Sequence, residues 1–211
     1  MAKRGRIFGG MALFLLLVAG LAGFWAWKKL TGPATDFVEQ SKLLYIPRGA
    51  DLDVVVDSLK AIGALGDEQA FRWLCTQKKY TDRVKPGRYR IPHGMNMNAL
   101  VNRLRSGDQE PVRVTFNGIK RLPELAGKLG RVLEPDSLAF LRALTDGDAQ
   151  QRAGYTAETF IAAFVPNTYE FWWTTTPEQF IERMGKEHAA FWNAERNAKA
   201  MAQVRADKLR E

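Results

Sequence analysis

The N-terminal part of the chain constrains the fold most, because the run from Ile7 to Trp27 carries no charge. Its length of about 21 residues, at ~1.5 Å of rise per residue in a helix, matches the ~30 Å hydrocarbon core of a bilayer. A basic tail, residues 1–6, precedes the run, and Trp25 and Trp27 stand where aromatic side chains meet the membrane interface. The pattern predicts a single transmembrane helix over 7–27 in the inner (plasma) membrane. The N-terminus is predicted to be cytoplasmic, and the bulk of the chain to lie in the periplasm or outside the cell.

A cleaved signal peptide is the alternative interpretation of this run. Gly20 and Ala22 form a small-residue site of the kind that signal peptidases cut. The run is long for a signal peptide, however, and it continues past that site through Phe24, Trp25 and Trp27. An uncleaved anchor is therefore favoured.

The net charge of +8 would suggest a nucleic-acid partner only if the cations were clustered on one surface. Five of them flank the uncharged run: Lys3, Arg4, Arg6, Lys28 and Lys29. Removing these five charges from +8 leaves +3 for the rest of the chain, where the sequence shows no basic cluster. The sequence predicts no nucleic-acid partner.

The residues that usually bind metals or form disulfides are scarce. Cys75 is the only cysteine, so no intrachain disulfide can form, and its spacing from Phe71 and Leu74 predicts a buried thiol. His93 and His188 have no partner at metal-binding spacing, and the chain contains no phosphate-cradling glycine loop and no nucleophile elbow. No metal site and no cofactor are predicted.

Residues 28–42 contain Gly32 and Pro33 with little apolar periodicity, which predicts a linker from the membrane to a first domain over 43–109. That domain begins with an apolar strand, Leu43 to Ile46. Apolar residues at helical spacing follow, in a helix that Asp51 opens and Gly63 closes.

A second helix, a second strand and a third helix complete the first domain. Asp67 can cap a second helix, and the Lys85-Pro86-Gly87 turn leads into a strand over 88–91. A third helix ends at Gly107, where glycine supplies a left-handed cap. The predicted order is a βααβ unit with an added helix.

A second domain is predicted over 110–211. It starts with a strand in which Val112, Val114 and Phe116 alternate with polar residues. Three apolar sets predict three helices: Leu122, Leu125, Ala126, Leu129 and Val132; Leu138, Leu141 and Leu144; and Phe160, Ile161 and Phe164, in a helix that begins near Thr156. The segment 166–169 is predicted to be a turn.

The C-terminal segment is predicted to be helical. Thr176 with Pro177 and Gln179 is a strong helix start. Its apolar face consists of Phe180, Ile181, Met184, His188, Phe191 and Trp192. From Ala194 onward the pattern remains helical but charged and lacks a stop signal, so the domain is expected to continue beyond Glu211.

Three motifs point to one family. They are Pro166-Asn167-Thr168-Tyr169, the stretch Val-Lys-Pro-Gly-Arg-Tyr-Arg-Ile at 84–91, and the stretch Asn-Ala-Leu-Val-Asn-Arg-Leu-Arg-Ser-Gly at 98–107. In this order and at this separation they resemble the YceG-like (MltG-type) endolytic murein transglycosylases. The resemblance implies an α+β protein with an N-terminal transmembrane helix, a LysM-like domain over 43–109 and the N-terminal part of a YceG-like catalytic domain over 110–211.

The resemblance also implies an activity. Such enzymes cleave the bond between N-acetylmuramic acid and N-acetylglucosamine in nascent peptidoglycan, leave 1,6-anhydro ends and so terminate strand elongation. One carboxyl group protonates the glycosidic oxygen and then, as a carboxylate, helps the muramyl 6-hydroxyl to close the anhydro ring. In the family this glutamate lies in a Glu-x-Glu-Thr-like motif, which is expected beyond Glu211, so no catalytic residue is assigned within this chain. Glu170, in an aromatic setting, is the alternative acid, and the resemblance argues against it.

Four residues around the motif at 166–169 are predicted to bind substrate: Asn167, Tyr169, Trp172 and Trp173. Aromatic faces can stack on the apolar faces of sugars, but the same side chains can instead pack the core, and Asn167 can instead fix a rigid turn. The implied partners are peptidoglycan glycan strands, the inner membrane and a peptidoglycan synthase. A non-catalytic envelope protein that binds glycan or a partner is the alternative function.

Overall fold

The computed structural model describes residues 37–208 together with 16–18, 20, 21, 23, 32, 34 and 35. The predicted transmembrane segment, 7–27, falls for the most part outside these residues. Among the residues that are described, no helix has both the length and the hydropathy needed to cross a membrane. The fold is mixed α+β and forms two compact units, which divide between Glu110 and Pro111.

The first unit contains two strands and three helices: β1 (Ser41–Ile46), α1 (Leu52–Ala61), α2 (Glu68–Gln77), β2 (Gly87–Pro92) and α3 (Met97–Ser106). The strands pair antiparallel, with Ser41 opposite Pro92 and Ile46 opposite Gly87. The predicted order of strand, helix, helix, strand and added helix is therefore confirmed.

Local capping explains where these helices start. The side chains of Asp51, Asp67 and Asn96 accept hydrogen bonds from backbone N–H groups three residues further on, at 2.7–3.0 Å. Each bond satisfies a donor that the first helical turn would otherwise leave unpaired. The starts at Asp51 and Asp67 follow the prediction.

Helices α1 and α2 differ in the residue that takes the left-handed backbone conformation after the last turn. Helices α1 and α2 end in the same pattern, in which the backbone N–H groups of the next residues bond back to carbonyls of the last turn. In α1 the left-handed position is Gly63, with φ 68°, whereas in α2 it is Lys79, with φ 55°. A left-handed backbone is costly for a residue with a Cβ, so Lys79 holds a position that glycine would occupy with less strain.

The core of the first unit lies between the two-stranded sheet and the helices. Its fully buried members include Leu44, Ile46, Phe71, Tyr89 and Leu100. Cys75 is buried among them, as predicted, and this burial raises the pKa of its thiol to about 12. The thiol is therefore unreactive while the unit stays folded.

Part of the predicted linker packs against the first unit. Ala34, Thr35 and Phe37 are buried, and the Thr35 hydroxyl donates a 3.1 Å hydrogen bond to the carbonyl of Pro92. The backbone N–H of Ala34 donates to the carbonyl of Met95 at 2.9 Å. In the described residues, the packed unit thus begins before Leu43.

The second unit contains two strands, five α-helices and one short 3-10 helix within the described residues. They are β3 (Val112–Thr115), α4 (Leu122–Leu129), α5 (Ser137–Leu144), α6 (Gly147–Arg152), the 3-10 helix Phe160–Ala163, β4 (Thr168–Phe171), α7 (Pro177–Phe191) and α8 (Ala194–Lys208). Strands β3 and β4 pair antiparallel, with Val112 opposite Phe171 and Thr115 opposite Thr168.

Several predictions for this unit were wrong. The segment predicted as a turn at 166–169 contains the start of β4, and the helix predicted from Thr156 is only the four-residue 3-10 helix. Val132 lies beyond the end of α4. Leu138 is 50% exposed, because α5 buries Phe140 instead, whereas Leu144 is buried as predicted.

Phe180 lies at the centre of the second core. Its ring is fully buried and has ring centroids of Phe116, Phe140, Phe164 and Phe171 within 5.3–6.0 Å. Only part of the apolar face predicted for α7 is covered in the same way: Met184 is buried, whereas Phe191 is 37% exposed and Trp192 is 40% exposed.

Candidate functional site

Strand β4 alternates between the core and solvent, and this alternation positions the candidate site. Tyr169 and Phe171 point into the core, whereas Thr168 and Glu170 are exposed. Trp172 follows directly after the strand and is also exposed, at 53%. A period of two along the strand therefore puts Glu170 and Trp172 outside the core, two residues apart in sequence.

An open groove of about 470 Å³ lies beside Trp172. It is lined by Pro111, Glu170, Phe171, Trp172, Thr175, Gln179 and Arg183. Its volume falls in the range of about 300–1,000 Å³ that is typical of small-molecule sites. One exposed indole with an acid, an amide, a hydroxyl and a guanidinium around it is a composition suited to a sugar, which offers both apolar faces and hydroxyl groups.

The start of α7 holds the polar side of the groove. The hydroxyl of Thr176 accepts from the backbone N–H of Gln179 at 3.1 Å, and the Gln179 side-chain oxygen accepts from the N–H of Thr176 at 3.0 Å. This capping box, predicted from the sequence, fixes the first turn of the helix. Arg183 lies one turn further along and donates to Glu187 at 2.7 Å.

Two of the four residues predicted to bind substrate belong to the core. Tyr169 is only 6% exposed, and its hydroxyl donates to the carbonyl of Val165 at 2.9 Å. Trp173 is half-buried and packs against the core of the second unit, to which Tyr169 belongs. The burial of Tyr169 fits the alternative in which it packs the core, because little of its ring is left for a sugar. Trp173 offers only a partly covered surface.

Asn167 occupies the connection into β4. Its side-chain oxygen accepts from the backbone N–H of Thr168 at 2.8 Å, and its backbone carbonyl accepts from the N–H of Phe116 at 2.8 Å. Both bonds hold the backbone in place where the second sheet begins. Asn167 thus has the geometry of the turn-fixing alternative, and Trp172 remains as the exposed aromatic residue of the predicted set.

Glu170 lacks the environment that a proton-donating carboxyl group needs. Its side chain is 62% exposed and lies 3.9 Å from the guanidinium of Arg113, its cross-strand neighbour. A carboxyl group that donates a proton to a glycosidic oxygen works best in an enclosed site beside the bond that is cut. The exposure of Glu170 and its contact with Arg113 instead place it on the rim of the groove.

Two other carboxyl groups of the second unit have lowered pKa values, whereas a general acid needs a raised one. A hydrogen bond from its own backbone, assisted by the Thr156 hydroxyl, lowers the pKa of Glu158. A hydrogen bond from Lys186 lowers the pKa of Glu182. Both groups are ionised at neutral pH and suit structural contacts rather than proton donation.

Within the described part of the chain, no group of three His, Cys, Asp or Glu residues is arranged to hold a metal ion. His188 bonds through Nε2 to the Tyr155 hydroxyl at 2.8 Å, and His93 bonds through Nδ1 to the carbonyl of Phe37. Both imidazoles therefore make protein contacts of their own.

Thr175, Gln179 and Arg183 were not predicted as site residues. Gln179 and Arg183 are separated by one helical turn on α7, a spacing that puts them on one face. Helical spacing contains this signal, but only the folded structure shows that this face borders Trp172. The groove thus depends on a long-range contact that local patterns cannot reveal.

The fold and the groove define a two-unit α+β protein whose second unit presents an aromatic and polar groove. The chain belongs to the YceG-like family, whose model matches residues 44–210.

The comparison with solved structures gives a distant match. The chain is similar to the crystal structure of a yceG-like protein, lmo1499, from Listeria monocytogenes, at 17% sequence identity and a TM-score of 0.39. The match covers 78% of this chain and 59% of that one, so this chain spans well under the full length of that protein. No curated protein matches the chain.

Proposed function

We propose that the protein acts in peptidoglycan metabolism as the glycan-holding part of a membrane-anchored endolytic lytic transglycosylase. The observation that carries the proposal is membership of the YceG-like family over residues 44–210. In this proposal the enzyme cleaves the bond between N-acetylmuramic acid and N-acetylglucosamine in nascent strands and leaves 1,6-anhydro ends. The glycan strand and a peptidoglycan synthase are its partners, and no cofactor takes part.

The groove supplies binding rather than proton transfer. Trp172 offers an exposed aromatic face, and Gln179, Arg183 and Glu170 offer hydrogen-bonding groups at its edge. The proton donor is proposed to be the glutamate of a Glu-x-Glu-Thr-like motif beyond Glu211, a proposal that the family resemblance supports. The LysM-like character proposed for the first unit would add a second glycan contact.

The uncharged run over 7–27 supports an anchor in the inner membrane with the two units outside the cytoplasm. Membrane fractionation tests this part of the proposal, and Leu16→Arg should release the protein from the membrane fraction, because a charge within the bilayer opposes insertion. Retention of the variant, or recovery of the unaltered protein in the soluble fraction, would contradict it.

Replacing Trp172 with alanine should weaken co-sedimentation with purified peptidoglycan about tenfold, because a stacked aromatic contact of this kind is worth on the order of 1–1.5 kcal/mol. Trp192→Ala is the matched control, since Trp192 is also an exposed indole of the second unit, at 40%, and does not line the groove. Equal loss in both variants, or no loss in either, would show that the groove does not hold the glycan.

A second candidate function is a non-catalytic envelope protein that binds glycan, and the exposure of Glu170 favours it for residues 1–211 taken alone. The 211-residue protein should release no 1,6-anhydromuramyl products from peptidoglycan, because loss of a positioned acid alone costs about 10²–10⁴ in rate. Mass spectrometry of the soluble fragments measures this.

Reading the nucleotide sequence after codon 211 distinguishes the two proposed functions. If it encodes a Glu-x-Glu-Thr-like motif, the extended protein should release anhydro products, and a Gln variant of that glutamate should not. Anhydro products from residues 1–211 that vanish on Glu170→Gln would instead make Glu170 the acid and overturn this assignment.

A further inference from the structure

Five cations of the first unit surround a single pocket, so the prediction that the chain has no basic cluster outside the N-terminal segment was wrong. The pocket has a volume of about 390 Å³ and is lined by Lys78, Lys79, Arg83, Lys85, Arg105 and Ser106. These residues come from two segments: residues 78–85, between α2 and β2, and the end of α3. Folding therefore brings Arg105 to four cations that are already close together in the chain.

The described residues that line the pocket include no acid. The two amines with assigned partners bond to neutral groups: Lys78 Nζ donates to Asn102 Oδ1 at 2.6 Å, and Lys85 Nζ donates to the carbonyl of Ser106 at 2.9 Å. These bonds orient the ammonium groups without neutralising them. By contrast, Arg72 and Arg90 of the same unit each form an ion pair with a carboxylate.

Lys79 gives the pocket a second distinguishing feature. It holds the left-handed position after α2, with φ 55°, where α1 uses Gly63. Its backbone N–H donates to the carbonyl of Thr76 at 3.0 Å. A strained residue that replaces the favoured glycine, and that also lines the cationic pocket, indicates that its side chain has a use other than ending the helix.

Gly107 makes room for the side chain of Lys85. An added Cβ at Gly107 would lie 2.8 Å from Cδ of Lys85, and the glycine has φ +76°. The absence of a side chain lets the Lys85 stem cross the end of α3 and brings its ammonium group to Ser106. The ends of α2 and α3 are thus both arranged so that lysines enter one pocket.

We propose that this pocket binds a phosphoryl group, either free or as the headgroup of an anionic lipid. Two guanidinium groups can form paired hydrogen bonds with phosphate oxygens, and three ammonium groups can act as point charges around them. A phosphate or diphosphate carries more charge and more acceptor oxygens than a carboxylate, and so complements five cations better. This site goes beyond the glycan groove and lies in the other unit.

The lining argues against single-stranded nucleic acid as the occupant. Sequence-tolerant binding of single strands combines a positive groove with aromatic rings on which bases stack. The described lining has cations and one serine but no aromatic ring. The cations do lie at two helix C-termini, where positive charge is also favourable for the helix itself, so the experiment must separate binding from stability.

The test uses the 211-residue protein in detergent, with inorganic phosphate, pyrophosphate and acetate titrated by calorimetry. A triple variant, Lys79→Gly with Arg83→Gln and Arg105→Gln, removes three exposed cations and keeps the two lysines that hold structural bonds. Pyrophosphate affinity should fall at least about 100-fold, because each charge-assisted contact is worth on the order of tenfold or more. Acetate should bind more weakly than pyrophosphate to the unaltered protein.

The matched control, Lys120→Gln with Arg121→Gln and Arg131→Gln, removes the same charge from exposed positions of the second unit. Its affinity should change less than about threefold, because these exposed charges do not line the pocket and are screened by salt. Equal loss in both variants, or no binding of phosphate and pyrophosphate or of anionic vesicles by the unaltered protein, would overturn the proposal.

Vesicles distinguish the two sources of the phosphoryl group. Equal parts of phosphatidylglycerol and phosphatidylcholine are compared with phosphatidylcholine alone, for the unaltered protein and the triple variant. A preference for anionic vesicles that the triple variant loses supports a lipid headgroup, whereas pyrophosphate binding without such a preference supports a soluble ligand. An oligonucleotide that binds more tightly than pyrophosphate at equal phosphoryl concentration would overturn the proposal in favour of nucleic acid.

Lys79→Gly alone separates binding from helix stability. Glycine relieves the left-handed strain, so the melting temperature should stay unchanged or rise, while pyrophosphate affinity should fall about tenfold. A lower melting temperature together with unchanged affinity would show that Lys79 serves only the end of α2.

Discussion

Replacing Phe180 with alanine is expected to lower the free energy of unfolding of the second unit by about 3–5 kcal/mol. The ring is fully buried and is in contact range of four other phenylalanine rings, one of them stacked at 5.7 Å. Removing it leaves a cavity that rings from four different segments would have to close together. Urea unfolding followed by circular dichroism measures the change.

Two further variants control for this effect. Phe180→Leu keeps most of the buried volume and should cost less than the alanine variant. Phe191→Ala removes the same side chain from a position that is 37% exposed on the same helix, and should change stability by about 1 kcal/mol or less. A loss below about 1 kcal/mol for Phe180→Ala would mean that Phe180 is not the centre of this core.

Gly130→Ala should lower the free energy of unfolding by about 1–3 kcal/mol, although alanine favours helix. A Cβ at Gly130 would lie 2.2 Å from the backbone nitrogen of Ser137 and 2.6 Å from its Cα. These are backbone atoms at the start of α5, so they cannot move aside as a flexible side chain could. Helices α4 and α5 would have to separate.

Gly185→Ala is the matched control for this second variant. Gly185 lies within α7, is exposed and would have nothing within 4 Å of an added Cβ. The same substitution should there raise stability by about 0.5–1 kcal/mol. Opposite signs at the two positions would confirm the close approach of α4 to Ser137, and equal signs would contradict it.

Local signals predicted the helix starts well. The hydrogen bonds from the side chains of Asp51, Asp67 and Thr176 span only three residues, so the sequence alone contains both partners. The same reasoning located Gly107 at the end of α3, since a left-handed backbone there requires glycine.

Long-range contacts account for what the sequence did not predict. Strand β4 has only two inward residues, Tyr169 and Phe171, and it becomes a strand by pairing with β3; the hydroxyls of Thr115 and Thr168 are 53 residues apart in the chain and bond at 2.9 Å. Leu138 was assigned to the core by helical spacing, whereas the position of the neighbouring helices decides that Phe140 is buried instead.

The candidate site shows the same division. The aromatic segment after Pro166 was found from the sequence, but which of its rings remain exposed depends on the side of β4 that faces the core. Trp172 and Tyr169 are three residues apart, yet one is 53% exposed and the other 6%. Four of the five cations of the pocket lie within residues 78–85, but only the folded structure shows that Arg105, at the end of α3, joins them.

The burial of Cys75 makes its thiol a probe for unfolding of the first unit. Its thiol is enclosed, its pKa is raised to about 12, and the sequence contains no other cysteine. A thiol reagent can therefore react only in the moments when α2 leaves the core. The rate of that reaction therefore reports how often the first unit opens. The second unit contributes no signal, because it has no cysteine.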